Sequence, residues 1–509
     1  MMKKMGEYLK TILLLVLRTP LVAGNPTNKA VCKRDTDGST SVTVLVAVTF
    51  PMTIIMFFML TWYKGDSDTL FNLNWASKAP FLWIAVISQT WFLAIVLKNQ
   101  KFWMKENLKW KRNRSAVIQL AFLWTFGIAM ILQSCLEIVA MGQCIRNVHS
   151  VAFGYTGRLF SSTAKTAYLL FQLVFLSCNF GKYFIKNTIY INFTLGGLLF
   201  ANGVIWLEYV SERSAHLFMY ENNTVLNQTL LCYYHSMAHQ TIKTIHSYIV
   251  PVTAEYILVA TLFLVNMFPK QKNTKYSLEN SHNYSEENES GQNMENIKNM
   301  GYLITVFVHV PLFVLAVLAR FVYAHNTDNI LALWETLATI QKLFMLILNF
   351  VGFSFLEPRK FRSWKLSFDD YILLCCMVAK LVRVFPVTLS ILNCKMNHRT
   401  LLLSNNVIYL LQIFYFTIYI LMSNRQMCVH NRHRSRVSTV IQSVFFVIMT
   451  GRWGIESFIL SEQGTDIITD KKICVFNDKR EWTMIQYVVA PFSVFYEFFS
   501  AMILYRSLH

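Results

Sequence analysis

Apolar runs recur along almost the whole chain, and twelve of them are long enough to cross a bilayer as an α-helix. Only 15% of the 509 residues are charged, whereas a soluble domain carries about a quarter. The net charge of +19 comes from basic residues that cluster between the apolar runs, so membrane topology explains it better than nucleic-acid binding does. The sequence therefore predicts an all-α polytopic membrane protein with twelve transmembrane helices, near 42–63, 80–97, 116–141, 159–186, 190–210, 246–268, 300–323, 331–356, 370–393, 401–423, 437–460 and 483–505.

Both termini are predicted to lie in the cytosol. The loop between the second and third helices, 98–114, holds seven basic residues and one Glu, and basic loops of this kind stay on the cytoplasmic side. The sequons at Asn222 and Asn227 fall on the opposite side and are predicted glycosylation sites. Residues 1–40 begin with a basic start and an apolar run too short to span, which indicates a cytosolic segment; a cleaved signal peptide is the alternative.

The chain is predicted to consist of two six-helix halves of similar structure, 41–268 and 300–509. Residues 269–299 between them are rich in Asn, Ser, Glu and Lys, which is typical of a disordered cytosolic linker. The stretches Pro-Val-Thr-Ala-Glu-Tyr, from Pro251, and Pro-Phe-Ser-Val-Phe-Tyr, from Pro491, begin 240 residues apart. The same offset separates Gln172 from Gln412 and Tyr256 from Tyr496, which favours two parallel repeats.

Polar side chains lie in the middle of several predicted spans. Gln172 and Asn202 each donate and accept hydrogen bonds, and in hydrocarbon they must find a partner such as each other, Tyr256 or water. The simplest interpretation is that they hold helices together. The repetition at Gln412 and Tyr496 favours a functional role, although the second half offers Thr450 as the nearest substitute for Asn202.

Glu255 is the ionisable residue that most suggests a function. A carboxylate inside a transmembrane helix is costly and needs a partner or a water-filled cavity, and Lys165 on a neighbouring helix is one candidate partner. Together with the amides and tyrosines it has the chemistry of a proton relay. Other candidates have local explanations: Glu335 is interfacial, Asp369 and Asp370 begin a helix whose dipole favours them, and Arg452 and Glu456 are four residues apart and can pair.

No enzyme, metal or cofactor motif is present. The sequence has no phosphate-binding glycine loop and no His/Cys cluster with metal-ligand spacing, so we expect neither catalysis nor a bound metal or cofactor.

Four cysteines map to the predicted outer side, where an oxidising environment permits disulfides. We predict the pairs Cys144–Cys232 and Cys394–Cys474, and free thiols are the alternative. Four histidines of the predicted outer loops have an unperturbed pKa of about 6.5, which suits sensing of external pH; a solvated loop residue of no special role is the alternative for each. They are His216, His235, His239 and His246.

At these polar positions the sequence resembles the otopetrins, a family of proton-selective channels. The resemblance covers most of the chain, from about 80 to 505, and rests on the order of several stretches rather than on one motif. They are Phe-Ala-Asn202-Gly-Val-Ile-Trp, Tyr-Ile-Val-Pro251-Val-Thr-Ala-Glu-Tyr256, Phe368-Asp-Asp-Tyr, Trp453 with Glu456, and Pro491-Phe-Ser-Val-Phe-Tyr496.

The resemblance implies a homodimer in the plasma membrane, with sterol at helix interfaces and each half barrel-like. It also implies that a Gln–Asn–Tyr triad constricts a polar vestibule: Gln172, Asn202 and Tyr256 in the first half, Gln412 and Tyr496 in the second. The second-half Asn is missing, and Glu497 and Phe499 stand where the family usually has a basic residue and a His.

The sequence thus predicts a channel that admits protons when the outside is acidic. Its proton pathway would comprise Glu255, both sets of triad residues and the acidic residues Glu335, Asp369 and Asp370. A proton-coupled secondary transporter remains the alternative, because two six-helix halves with a central cytosolic linker are also a transporter plan. A non-conducting chemosensory or dimerisation partner is a third possibility.

Overall fold

The computed structural model describes residues 82–87, 89–90, 104–106, 114–147, 152–185, 191, 194–206, 208–209, 236–268, 314, 328–355, 368–393, 399–423, 432–459 and 479–508. These residues are almost all helical. They belong to two compact units, one within Asp37–Ser285 and the other within Glu286–His509. The division falls inside the stretch predicted to be a linker, which itself lies outside the described residues.

The N-terminal unit is built on an antiparallel pair of long helices, α1 (Arg114–Asn147) and α2 (Ala152–Cys178). Strand β1 (Met104–Glu106) precedes α1, strand β2 (Lys182–Phe184) follows α2, and the two strands pair antiparallel with Met104 opposite Phe184. The unit continues with α3 (Thr194–Trp206) and α4 (Met237–Met267). Helix α4 packs along α1 and also contacts α2 and β2.

The C-terminal unit has a further set of long helices. They are α5 (Asp328–Phe355), α6 (Phe368–Asn393), α7 (Arg399–Ser423), α8 (Arg432–Gly454), a π-helical turn (Ile455–Ile459) and α9 (Lys479–Leu508). Helix α7 packs against α5 and α6, and α9 packs against α6 and α8. This arrangement brings one face of each helix towards a common interior.

The burial pattern is that of a membrane protein. Within the described residues, five helical segments are long and apolar enough to cross a bilayer: Ser115–Arg146, Thr156–Cys178, Thr336–Phe355, Asp369–Asn393 and Arg399–Ser423. Large apolar side chains of α1 point outwards in one stripe, as at Ile128 and Leu132, which are 49% and 59% exposed. Polar side chains such as Gln172 and Asn349 are fully buried. Apolar outside and polar inside is the distribution expected for helices in lipid.

The helix bounds differ most from the sequence-based expectation at the start of α4, which begins at Met237 and not near 246, and at the end of α2. The apolar pattern predicts a helix to residue 186, but α2 ends at Cys178 because Gly181 adopts φ 72° and the chain turns into β2. The short β-ribbon was not predicted. The predicted helix near 42–63 lies outside the described residues, and of the helix near 300–323 only Val314 is described.

Candidate functional site

Five polar side chains meet at the centre of the N-terminal unit. Gln172 Nε2 donates to Asn202 Oδ1 at 2.9 Å, and Tyr256 OH donates to Gln172 Oε1 at 2.9 Å. The three residues predicted as a triad are therefore in direct contact. All are buried, with exposures of 0% to 1%. We call this set, with Tyr168 and Thr261, the Gln172 cluster.

Tyr168 and Thr261 extend the cluster beyond the predicted triad. Gln172 Nε2 also donates to the Tyr168 hydroxyl at 2.9 Å, and that hydroxyl lies 2.9 Å from Asn202 Oδ1 and 3.1 Å from Leu198 O. Asn202 Nδ2 donates to Thr261 Oγ1 at 3.3 Å. Tyr168 lies four residues before Gln172, so one helical face presents both side chains; this spacing could have revealed it from the sequence. Each group can accept one hydrogen bond while donating another, which is a requirement for a chain that carries protons.

Helix α1 packs against Leu173 and the Tyr256 ring at Gly127. A Cβ atom at this position would lie 2.8 Å from Leu173 Cδ1 and 3.0 Å from Tyr256 Cε2. Absence of a side chain therefore lets α1 approach the Tyr256 ring and the helix that carries Gln172. This close approach holds Tyr256 in contact with Gln172 Oε1.

Gly127→Ala is expected to lower strongly the proton flux that the sequence predicts and to lower the thermal unfolding midpoint only modestly. The methyl group must displace Leu173 or the Tyr256 ring, so the Tyr256–Gln172 hydrogen bond lengthens, at a cost of about 1 to 3 kcal/mol for an overpacked interior. Proton flux and the thermal unfolding midpoint of the purified protein are the measurements. Gly352→Ala is the matched variant, since its Cβ would lie 2.6 Å from Tyr419 Cε2, away from the Gln172 cluster. Equal loss of flux in both variants would contradict a specific role for Gly127.

Glu255 precedes Tyr256 on α4 and is buried, with 1% exposure. Successive helical residues point about 100° apart, so Glu255 and Tyr256 face different directions. Lys165, the cation predicted to neutralise Glu255, lies with its Nζ 3.4 Å from Glu208 Oε2. Sequence reasoning missed Glu208, which lies close to the end of the predicted fifth helix and could have been found as an ionisable residue six positions after Asn202.

The C-terminal unit does not repeat the triad. Gln412 Oε1 accepts a hydrogen bond from Arg452 Nη1 at 3.2 Å, and its buried Nε2 has no acceptor among the described residues. The Tyr496 hydroxyl lies 2.8 Å from Thr417 Oγ1. Thr450, the predicted substitute for Asn202, donates to Phe446 O within its own helix at 2.8 Å. Among the described residues, Gln412 thus bonds to Arg452, whereas Thr450 bonds within its own helix.

Glu497 organises a buried network of charges in this unit. Its Oε1 accepts from Lys380 Nζ at 2.5 Å and lies 3.0 Å from Arg452 Nη2. Lys380 and Glu497 are 2% and 1% exposed. Buried carboxylates and cations are stable only when paired in this way. We call Lys380, Arg383, Arg452, Glu456 and Glu497 the Glu497 network.

Arg452 and Glu456 form ion pairs with other side chains, although they are four residues apart on one helix. The π-helical turn begins at Ile455, one residue before Glu456. Glu456 instead lies 3.7 Å from Lys380 Nζ and 3.8 Å from Arg383 Nη1. Among the described residues, each acid of this network is thus shared by two cations.

The Tyr409 ring lies beside three of the cations in the C-terminal unit. Lys342 Nζ is 4.4 Å from the ring centroid, Arg452 Cζ is 5.0 Å and Lys380 Nζ is 5.6 Å. An aromatic face attracts cations at these distances. The ring therefore helps to hold several positive charges inside this unit.

The remaining predicted site residues do not belong to the Gln172 cluster or the Glu497 network, or their side chains lie outside the part that the structure describes. Asp369 pairs with Arg506 at 2.7 Å, so it has a partner on another helix besides its place at the start of α6. Asp370 is 2% exposed. Glu335 lies in α5, and its side chain is outside the part of the chain that the structure describes. His239 and His246 lie in α4, not in a loop as predicted, because the helix begins at Met237. His216, His235, Asn222, Asn227, Cys394 and Cys474 lie outside the described residues.

Cys144 is fully buried and disulfide-bonded, and its partner lies outside the described residues. The pairing with Cys232 therefore stays a prediction, as does Cys394–Cys474. Within the part of the chain that the structure describes, no group of three or more His, Cys, Asp or Glu side chains could hold a metal ion.

Comparison with known proteins adds no family: no family model matches the sequence, and no curated protein matches it. The site must therefore be interpreted from its own chemistry.

Proposed function

We propose that this chain is a proton-selective channel that conducts protons into the cell when the outside is acidic. The Gln172 cluster is the observation that carries the proposal. It joins three helices through hydroxyl and amide groups that both donate and accept, and it lies in the interior of a unit whose helices are apolar outside. Protons cross such groups and intervening waters by exchange along hydrogen bonds.

The proposal assigns conduction to the N-terminal unit. There the polar centre is neutral apart from Glu255 and the Lys165–Glu208 pair, and Glu255 is a buried protonatable group one residue before Tyr256 on α4. In the C-terminal unit the equivalent position is occupied by Arg452 and the Glu497 network, and fixed positive charges repel protons. The contrast between the two units supports a single conducting path in each chain.

The proposed channel has the wider features that the sequence suggested. It has twelve transmembrane helices in two six-helix halves, both termini in the cytosol, and a place in the plasma membrane as a glycosylated homodimer with sterol between helices. The resemblance to the otopetrins suggests the dimer and the sterol, and the basic loops and the sequons suggest the orientation.

A proton-coupled secondary transporter is the second candidate, and the Glu497 network is the observation that favours it. Buried acids shared between cations are typical of transporters in which proton binding breaks an ion pair and changes the conformation. A transporter would show proton flux that saturates and depends on a second solute.

The decisive experiment is whole-cell recording from expressing cells in solutions where the proton is the only small permeant cation. We expect inward current when the external pH is stepped down, with a reversal potential that moves by about 59 mV per pH unit, as the potential of a singly charged ion does. Surface labelling confirms delivery, and untransfected cells are the control. Absence of this current in cells that display the protein would contradict the channel, and dependence on an added solute would establish the transporter.

A further inference from the structure

A second buried carboxylate, Glu137, lies in the N-terminal unit away from the Gln172 cluster. It is 7% exposed and lies within the apolar segment Ser115–Arg146. Gln133 Nε2 donates to its Oε1 at 3.2 Å, and Ser162 Oγ donates to its Oε2 at 3.4 Å. Between Arg114 and Arg146, the two ends of α1, Glu137 is the one charged residue. A helix that needed only packing here would be more stable with an apolar or amide side chain.

Helix α2 connects Glu137 to the Gln172 cluster. Ser162, Lys165, Tyr168 and Gln172 are three or four residues apart, so they lie on one face of α2. Each of them contacts a polar group on another helix: Ser162 contacts Glu137, Lys165 contacts Glu208, and Tyr168 and Gln172 contact Asn202. Neighbouring positions are about 5 Å apart along the helix axis, which is the distance that one bridging water spans.

The direction of the chain agrees with a continuous line. Glu208 follows Asn202 by six residues, while its partner Lys165 precedes Gln172 by seven, as expected for two antiparallel neighbouring helices. From Ser162 to Gln172 the line covers about 15 Å, or half of the roughly 30 Å hydrocarbon thickness. Towards the other end, α2 continues with Leu173, Val174, Phe175 and Leu176, so the line ends at the Gln172 cluster.

We propose that Glu137 is the proton-accepting group at the outer end of this line; the proposal rests on the proposed channel function. A proton from water forms an O–H bond with the Glu137 carboxylate, which becomes neutral. The same proton then leaves to a water molecule beside Ser162 and restores the carboxylate. The Glu208 carboxylate accepts it next, and while Glu208 is neutral its attraction to Lys165 is lost. Glu208 then releases the proton to water, and the proton passes on through water and the Tyr168 hydroxyl, which takes up one proton as it releases its own, so every step exchanges one O–H bond for another.

The charged groups around Glu137 set how readily its carboxylate takes up a proton. Helix α1 packs against α2 and α4. A cation nearby favours the carboxylate and a second acid favours the neutral form. The ionisable side chains that the described parts of α2 and α4 bring to the unit are Arg158, Lys165, Tyr168 and Cys178 on α2, and Glu255 and Tyr256 on α4.

Glu137→Gln tests the proposal by whole-cell recording in the full-length chain. The amide keeps the size of the side chain and an oxygen for one donor, but it cannot take up a proton at these pH values. We expect inward current at a given external pH to fall about tenfold or more, as when an acid–base group is removed. Thr163→Val is the control, because Thr163 is exposed on α2 and bonds only to Leu159 O among the described residues.

Ser162→Ala is the second variant, in case Glu137→Gln does not reach the surface. It keeps the carboxylate but removes the hydroxyl that bonds to Glu137 Oε2 and links it to the polar face of α2. We expect the inward current at a given external pH to fall, because the first step of the line loses its hydrogen bond. If Glu137→Gln and Ser162→Ala both carry currents of the same size and pH dependence as the wild type, Glu137 does not have the proposed role. Absence of current in the wild type would instead overturn the proposed function.

Discussion

Replacing Gln172 by Leu is expected to abolish the proton current. Leu has a similar volume but cannot accept from the Tyr256 hydroxyl or donate to Asn202 Oδ1 and the Tyr168 hydroxyl. These partners are buried. A buried polar group left without its hydrogen bond costs about 1 to 3 kcal/mol, so we expect a loss of about 3 kcal/mol in the free energy of unfolding.

The measurements are whole-cell current normalised to surface protein and the unfolding midpoint in detergent. Thr166→Val is the matched control, because Thr166 is on the same helix and its hydroxyl donates to Ser162 O one turn back. A Gln172→Leu channel with normal current would show that the cluster only holds the helices together. Tyr256→Phe separates the two roles further, since it removes one hydroxyl and leaves the ring in place.

Glu497→Gln is expected to be the most destabilising single change in the C-terminal unit. The substitution leaves Lys380 and Arg452 buried with one acid, Glu456, to serve the whole network. Removing one partner of a buried ion pair costs about 3 to 5 kcal/mol, because the remaining charge has no compensation. The reversal potential of any residual current should not change, since the proposed path lies in the other unit.

Unfolding of the purified protein measures this effect, and Asp369→Asn is the control. Asp369 pairs with Arg506, but these side chains are 21% and 32% exposed, and such pairs contribute at most about 1 kcal/mol. The double variant with Lys380→Gln provides a thermodynamic cycle, for which we expect a coupling of about 2 kcal/mol. A Glu497→Gln protein as stable as the wild type would mean that the network is hydrated rather than buried. Loss of proton selectivity in this variant would place the conducting path in the C-terminal unit.

The sequence was sufficient to place the main polar centre of the N-terminal unit. Gln172, Asn202 and Tyr256 stand out because each interrupts an apolar run, and a polar group in that setting must find a partner. Three such groups on neighbouring helices had few possible hydrogen-bond partners other than one another. Tyr168 was overlooked because a tyrosine near other aromatics does not stand out by composition.

The C-terminal unit was harder to predict because charged residues choose partners across helices. The spacing of Arg452 and Glu456 favours a local pair, but each of them forms its ion pairs with side chains on other helices. Glu497 belongs to α9, far along the chain from Lys380 on α6, and no local pattern shows that the two side chains meet. Internal similarity between the halves was also misleading here, since Gln412 recurs at the expected position with a different partner.

The three-residue ribbon of β1 and β2 has a mechanical consequence. It fastens the chain before α1 to the chain after α2 by backbone hydrogen bonds, so the two helices are clasped at that end as well as joined by the short connection between Asn147 and Ala152. A hairpin held at both ends cannot splay. Any widening at Gln172 must therefore come from a tilt of α3 or α4 relative to α1 and α2. We expect α4, which carries Tyr256, to be the helix that moves.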